Sequence, residues 1–144
     1  NYSLQDSQGN PSTQVSGNIG SITQLASVTW VGPNSGGNWS NAGNWANGAI
    51  PTLSNVANVI IPSGVTVNYD SVAVGQIGSS ITNNGVINFT GSNNFTFNNA
   101  VTGTGLISLS GAGITTIAGN NSYTGGTNIN SSHFCGQFLF ISCA

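Results

Sequence analysis

The sequence predicts an all-β protein, a parallel β-helix (β-solenoid) wound in coils of about 20 residues. Three observations point that way: a strand motif that recurs at even spacing, alternation of apolar and polar residues inside each copy, and Asn/Gly-rich corners between copies. Gly64-Val65-Thr66-Val67-Asn68-Tyr69 returns as Gly85-Val86-Ile87-Asn88-Phe89-Thr90 and again as Gly105-Leu106-Ile107-Ser108-Leu109-Ser110. A second set of short strands, around Val72 to Ile77, at Phe95-Thr96-Phe97 and at Thr115-Thr116-Ile117, keeps the same spacing, so one coil holds two or more strands.

Within Val65-Thr66-Val67, Ile87-Asn88-Phe89 and Phe95-Thr96-Phe97 the alternation sends apolar side chains to one face and polar ones to the other. Corners such as Asn83-Asn84-Gly85 and Asn98-Asn99 turn the chain. A repeat of this length cannot bury its own apolar face. Stacked coils spaced about 4.8 Å apart hydrogen-bond as parallel strands and share one core. Asn recurring at one corner can then form ladders along the axis, which makes Asn architecture rather than chemistry. A β-sandwich of antiparallel hairpins is the runner-up, since it also shows short alternating strands. The even offsets favour the solenoid.

By texture the chain divides into four segments. Residues 1–27 are a flexible leader or linker arm, rich in Gln, Ser, Asn and Gly; Val15, Ile19, Ile22 and Leu25 recur at helical spacing, but Gly17, Asn18 and Gly20 interrupt it. Residues 28–58 form a Trp-rich N-terminal cap carrying Trp30, Trp39 and Trp45. Residues 59–130 are the solenoid coils, and residues 131–144 an atypical C-terminal tail or cap. The three tryptophans carry two readings. Each ring can cover the open end of a core, burying about 150–250 Å², or the exposed faces can form a stacking platform for sugar rings.

Composition narrows the function. The 144 residues include no Lys or Arg and only two carboxylates, and 1% of the chain is charged, against roughly 25% in ordinary soluble domains. Nucleic acid is excluded as a partner, because its affinity comes from Lys and Arg neutralising phosphates. Polybasic attachment to anionic lipid is excluded for the same reason, and no apolar stretch approaches the ~20 residues of a phospholipid-spanning helix. Gly, Asn, Ser and Thr fill more than half of the chain, while 38% is hydrophobic; disorder therefore suits the leader and not the whole. The chain opens on Asn1 and shows no signal segment, which reads as a processed chain or an excised fragment.

No catalytic constellation emerges. Carboxylate-pair chemistry would have to use Asp6 in the leader and Asp70, which follows Asn68-Tyr69 as a turn residue. A serine triad drawn from Asp70, His133 and a serine lacks the nucleophile elbow G-x-S-x-G. No cofactor is expected. No metal site is expected either, since His133, Cys135 and Cys143 supply at most three of the four ligands zinc needs, and calcium wants several carboxylates. Cys135 and Cys143 either close one small disulfide loop in an oxidising compartment or remain thiols. The six N-x-S/T sequons, at Asn1, Asn38, Asn88, Asn94, Asn120 and Asn130, matter only in a eukaryotic host.

Particular residues resemble a known family. Trp30-Val31-Gly32, Asn38-Trp39-Ser40, Asn44-Trp45 and Asn58-Val59-Ile60-Ile61-Pro62-Ser63-Gly64 look like the opening of exported bacterial exoproteins of the autotransporter and filamentous-haemagglutinin-like kind. Gly103-Thr104-Gly105-Leu106-Ile107-Ser108-Leu109-Ser110-Gly111 with Asn120-Asn121-Ser122-Tyr123-Thr124-Gly125-Gly126-Thr127-Asn128-Ile129 is similar to the autotransporter passenger-associated strand repeat, most specifically in S-Y-T-G-G-T. The resemblance implies a right-handed parallel β-helix at the bacterial surface or secreted from it, in proteins of adhesion, aggregation or display, and carries over no catalytic residue. The chain departs from the pattern after Asn130, where another Gly-containing strand is expected.

The expected function is therefore a structural or adhesive segment of a secreted surface protein. Its partners would be itself, or the glycans or proteins of a host or neighbouring cell surface. The apolar run Phe138-Leu139-Phe140-Ile141 would fold back over the last coil or join another molecule's strand edge. A carbohydrate-binding module using exposed tryptophans is the alternative. An ice-binding solenoid ranks last, because Thr66, Thr96 and Thr115-Thr116 form no T-x-T array.

Overall fold

The computed structural model describes residues 24–52, 54–70, 80–130 and 134–136. Their twelve strands are β1 Val28–Thr29, β2 Gly37–Asn38, β3 Asn58–Ile61, β4 Thr66–Tyr69, β5 Ser80–Asn83, β6 Val86–Phe89, β7 Phe95–Phe97, β8 Ala100–Thr102, β9 Leu106–Leu109, β10 Thr115–Ile117, β11 Thr127–Ile129 and β12 Phe134–Gly136. They pair only with strands of neighbouring coils, always in parallel, in three sheets ordered β1-β3-β5-β8, β2-β4-β6-β9-β11 and β12-β10-β7. This is a β-solenoid of about three turns with coils about 20 residues apart. The antiparallel hairpins of a sandwich are not what pairs these strands. A complete coil has three strands, one on each sheet, where spacing alone marked two or more. Among the described residues no helix is long and apolar enough to cross a membrane.

Register follows from the sequence alternation. In β3 to β6 every second residue is buried, and a one-residue slip would turn all of them to solvent. Val67, Ile87, Ile107 and Thr127 therefore stack in one column, and Tyr69, Phe89, Leu109 and Ile129 in the next. On the first sheet Val28, Val59, Ile81 and Val101 make the facing column, and Phe97 over Ile117 closes the triangle from the third. Val59, Val67, Ile81, Ile87, Val101 and Ile107 have no exposed surface.

The corners are held by Asn. The Asn84 Oδ1 accepts from Thr104 N at 3.2 Å, the Asn94 Oδ1 from Ile114 N at 3.0 Å, and the Asn121 Oδ1 from Val101 N at 2.9 Å. Asn88 Nδ2 donates to Asn68 Oδ1 at 3.3 Å. Each of these bonds joins residues 20 apart, so it ties one coil to the next. At Thr104 and Ile114 Asn satisfies a main-chain amide at a corner, and Asn121 does the same for Val101 of β8.

Candidate functional site

The first coil is longer than the rest, since Val28 pairs with Val59 and Gly37 with Val67. Its additional residues fold across the N-terminal end of the sheets. Trp30, directly after β1, meets Trp45 in an antiparallel bridge; Ala46 N donates to Thr29 O at 3.0 Å and Val31 N to Asn44 O at 2.8 Å. The outer edge of β1 is thus occupied. A 3-10 turn, Ala42–Asn44, aims its last residues at β2; Asn41 caps it by accepting from Gly43 N at 3.0 Å. Asn44 Nδ2 donates to Asn38 O at 3.0 Å and Trp45 Nε1 to Trp39 O at 2.9 Å. Side chains take up the carbonyls that an edge strand would otherwise offer to another chain.

The tryptophans are walls of this cap and present no platform. Trp30, Trp39 and Trp45 are 3%, 1% and 2% exposed, which corrects the reading of them as exposed stacking faces, because a sugar ring needs an open aromatic face. Their faces meet one another instead. Trp45 lies edge-on to Trp30 at 5.1 Å and tilted to Trp39 at 4.5 Å, and Trp39 reaches Tyr69 of the next coil at 5.5 Å. The column continues through Phe89 at 5.3 Å from Tyr69, and Phe97 at 5.1 Å from Phe89. Aromatic contact of this kind adds about 0.5–1.5 kcal/mol per pair beyond burial. The Trp39 Nε1 is buried without a hydrogen-bond partner among the described residues.

Asp70 ties the cap to the second coil. Its Oδ1 accepts from Ser40 N at 3.2 Å and its Oδ2 from Ser40 Oγ. The sequence marked Asp70 only as a turn residue; its place just beyond β4, with Asn68 of β4 paired to Asn38 of β2, is what brings Ser40 within reach. Next to it, burial first and the Asp70 charge second push the Tyr69 hydroxyl well above its ordinary value of 10.0. The folded state therefore favours the neutral phenol. That contribution to stability is intact below pH about 10, where the unfolded phenol titrates, and is lost as pH rises from there towards the folded value. Tyr69→Phe is expected to flatten the alkaline fall in the denaturation midpoint above pH 10; an unchanged slope would count against this linkage.

The other residues singled out from sequence are scattered or lie outside the described residues. Asp6, His133 and Cys143 are among the latter, as is the strand expected around Val72 to Ile77. Cys135 sits on β12 opposite Thr116. The described residues bring no three His, Cys, Asp or Glu side chains together. Outward threonines pair as Thr82 with Thr102 on one face and Thr96 with Thr116 on another.

The opposite end of the described coils contrasts with the cap. Ile129 continues the buried column of Tyr69, Phe89 and Leu109, yet it is 38% exposed where Leu109 has none of its surface open. Thr127 takes the place of Ile107 in its column and shares a hydrogen bond of 2.6 Å with the Tyr123 hydroxyl. Comparison of the chain with protein-family models, with curated proteins and with solved structures found no match.

Proposed function

We propose that the chain is a structural segment of a secreted bacterial surface protein, the capped start of a solenoid rod that carries or displays an adhesive surface. The observation that supports it is the cap itself: the N-terminal edges of two of the three sheets, at β1 and β2, receive hydrogen bonds from Asn44, Trp45 and Ala46, as suits the first coil of a stack that continues in one direction. The resemblance of the Trp30–Gly64 and Gly103–Ile129 stretches to exported exoprotein passengers fits this role. A surface ordered by Asn and Ser ladders presents hydrogen-bonding groups at coil spacing.

The test is functional. Beads coated with the full chain are expected to adhere to cells or to one another while leaving a panel of polysaccharides uncleaved; cleavage would overturn the reading. For the sugar-binding alternative, tryptophan emission is expected to be blue-shifted by burial and unmoved by added glycans. A glycan-dependent shift would transfer the function to that alternative.

A further inference from the structure

An asparagine followed by glycine carries a reaction of its own. The main-chain nitrogen of the glycine can reach the side-chain carbonyl carbon of the asparagine, because no Cβ on the second residue stands in its path. The sequence holds two such pairs, Asn47-Gly48 and Asn84-Gly85. The fold gives them opposite surroundings.

Asn84-Gly85 lies in a stacked corner. Asn84 Oδ1 accepts from Thr104 N at 3.2 Å and from Thr104 Oγ1 at 3.4 Å, and Asn84 N donates to Ile61 O at 2.9 Å. The attacking nitrogen, Gly85 N, is buried and donates to Asn83 Oδ1 at 3.2 Å. On one side a Cβ on Gly85 would stand 2.3 Å from Val65 O and 2.5 Å from Pro62 O; on the other, Leu106 N donates to Gly85 O at 2.9 Å. Amide and nitrogen cannot turn towards each other here unless the coils on either side open. Asn47-Gly48, by contrast, directly follows the cap, and both residues are exposed. Nothing lies within 4 Å of where a Gly48 Cβ would stand. Two local bonds hold the pair, Gly48 N to Trp45 O at 2.8 Å and Ala49 N to Asn47 Oδ1 at 3.3 Å. Freeing Gly48 N breaks one exposed turn bond, which slows the reaction only about fivefold.

We propose that Asn47 is a site of self-modification in the folded protein, converting to aspartate and isoaspartate, and that the stacked coils shield Asn84 from the same reaction. The deprotonated Gly48 nitrogen attacks Cγ of Asn47. A C–N bond forms to close a succinimide, the Cγ–Nδ2 bond breaks, and the amide nitrogen takes up a proton and leaves as ammonia. Water then adds to either imide carbonyl and opens the ring, so the exposed loop supplies every reactant. The new carboxylate adds one negative charge to a chain of net charge -2 with no Lys or Arg to pair it. Trp45 stays anchored, since its indole donates to Trp39 O and its backbone bridges Trp30. The site is independent of the surface role proposed above.

The test is incubation of the full chain at mildly alkaline pH, followed by digestion with pepsin, which needs no basic residue, and mass spectrometry of the peptides. Asn47 is expected to accumulate isoaspartate, scored with an isoaspartyl methyltransferase, at least about 100-fold faster than Asn84, whose rate is scaled down by the fraction of time its coils are open. In denaturant the two sites are expected to react at comparable rates. Equal rates in the folded chain would overturn the shielding of Asn84, and an Asn47 as slow as Asn84 there would overturn the site. Gly48→Ala is expected to slow Asn47 in both folded and denatured chain and to leave Asn84 unchanged; an unaltered Asn47 rate would overturn the succinimide route. Buried tryptophan emission is expected to survive the modification, and its loss would overturn the confinement of the change to the loop.

Discussion

Gly105→Ala is expected to destabilise the solenoid by about 3 kcal/mol or more, at the upper end for overpacking, a large share of the 5–15 kcal/mol typical of a whole domain. Gly85, Gly105 and Gly125 lie over one another at the same corner. A Cβ on Gly105 would stand 2.3 Å from Gly85 O, and one on Gly125 would stand 2.3 Å from Gly105 O. The obstructing atom is backbone already engaged in the ladder, since Leu106 N donates to Gly85 O at 2.9 Å. It cannot move without opening the coils on either side. Gly64→Ala is the comparison: its φ of 78° strains any side chain, but nothing lies within 4 Å of its Cβ. That change is expected to cost about 1–2 kcal/mol. Denaturant midpoints of the two variants measure the difference, and similar losses would mean that the corners do not stack this closely.

Trp45→Ala is expected to cost about 3–5 kcal/mol. The ring is fully enclosed, touches both other tryptophans, and donates to Trp39 O. Its loss would open the cap as well as leave a cavity, so the amides of Val31 and Ala46, which bridge the cap to β1, are expected to exchange faster. Trp45→Phe keeps most of the packing and removes the donor, for an expected loss of about 1–3 kcal/mol from the unpaired carbonyl. Equilibrium unfolding of both variants separates packing from hydrogen bonding. A cost below about 1 kcal/mol for Trp45→Ala would remove the cap from its structural role.

The coils were legible because each repeats the same local requirement. Val67, Ile87 and Ile107 stand 20 residues apart and share one column, although counted from its glycine the first copy is one residue out of step: Val67 is the fourth residue of its motif, Ile87 and Ile107 the third of theirs. The cap was legible only as a density of tryptophan. Its construction depends on contacts with no repeat: the crossing of Trp45 over Trp30, the Asn44 amide on Asn38 O, and the reach of Ser40 to Asp70 across 30 residues. Periodicity carries no information about a segment that occurs once. The one available signal was Asn41 three residues before Asn44, a capping residue ahead of a short turn. An Asn/Gly-rich loop reads as surface, whereas here the loop folds its rings inward and buries the Asn44 amide with them.

The parallel stacking also fixes how the rod answers a pull along its axis. The backbone runs across the axis, and successive coils are held together by the ladder bonds, the Asn bonds and the shared core between them. A load on the end coil is therefore borne by one rung's bonds before it reaches the next. Coils peel singly, each releasing about 20 residues and so about 66–72 Å of chain in place of a rise of about 4.8 Å. Such a rod lengthens in steps under tension, with its coils acting as a series of extensible links.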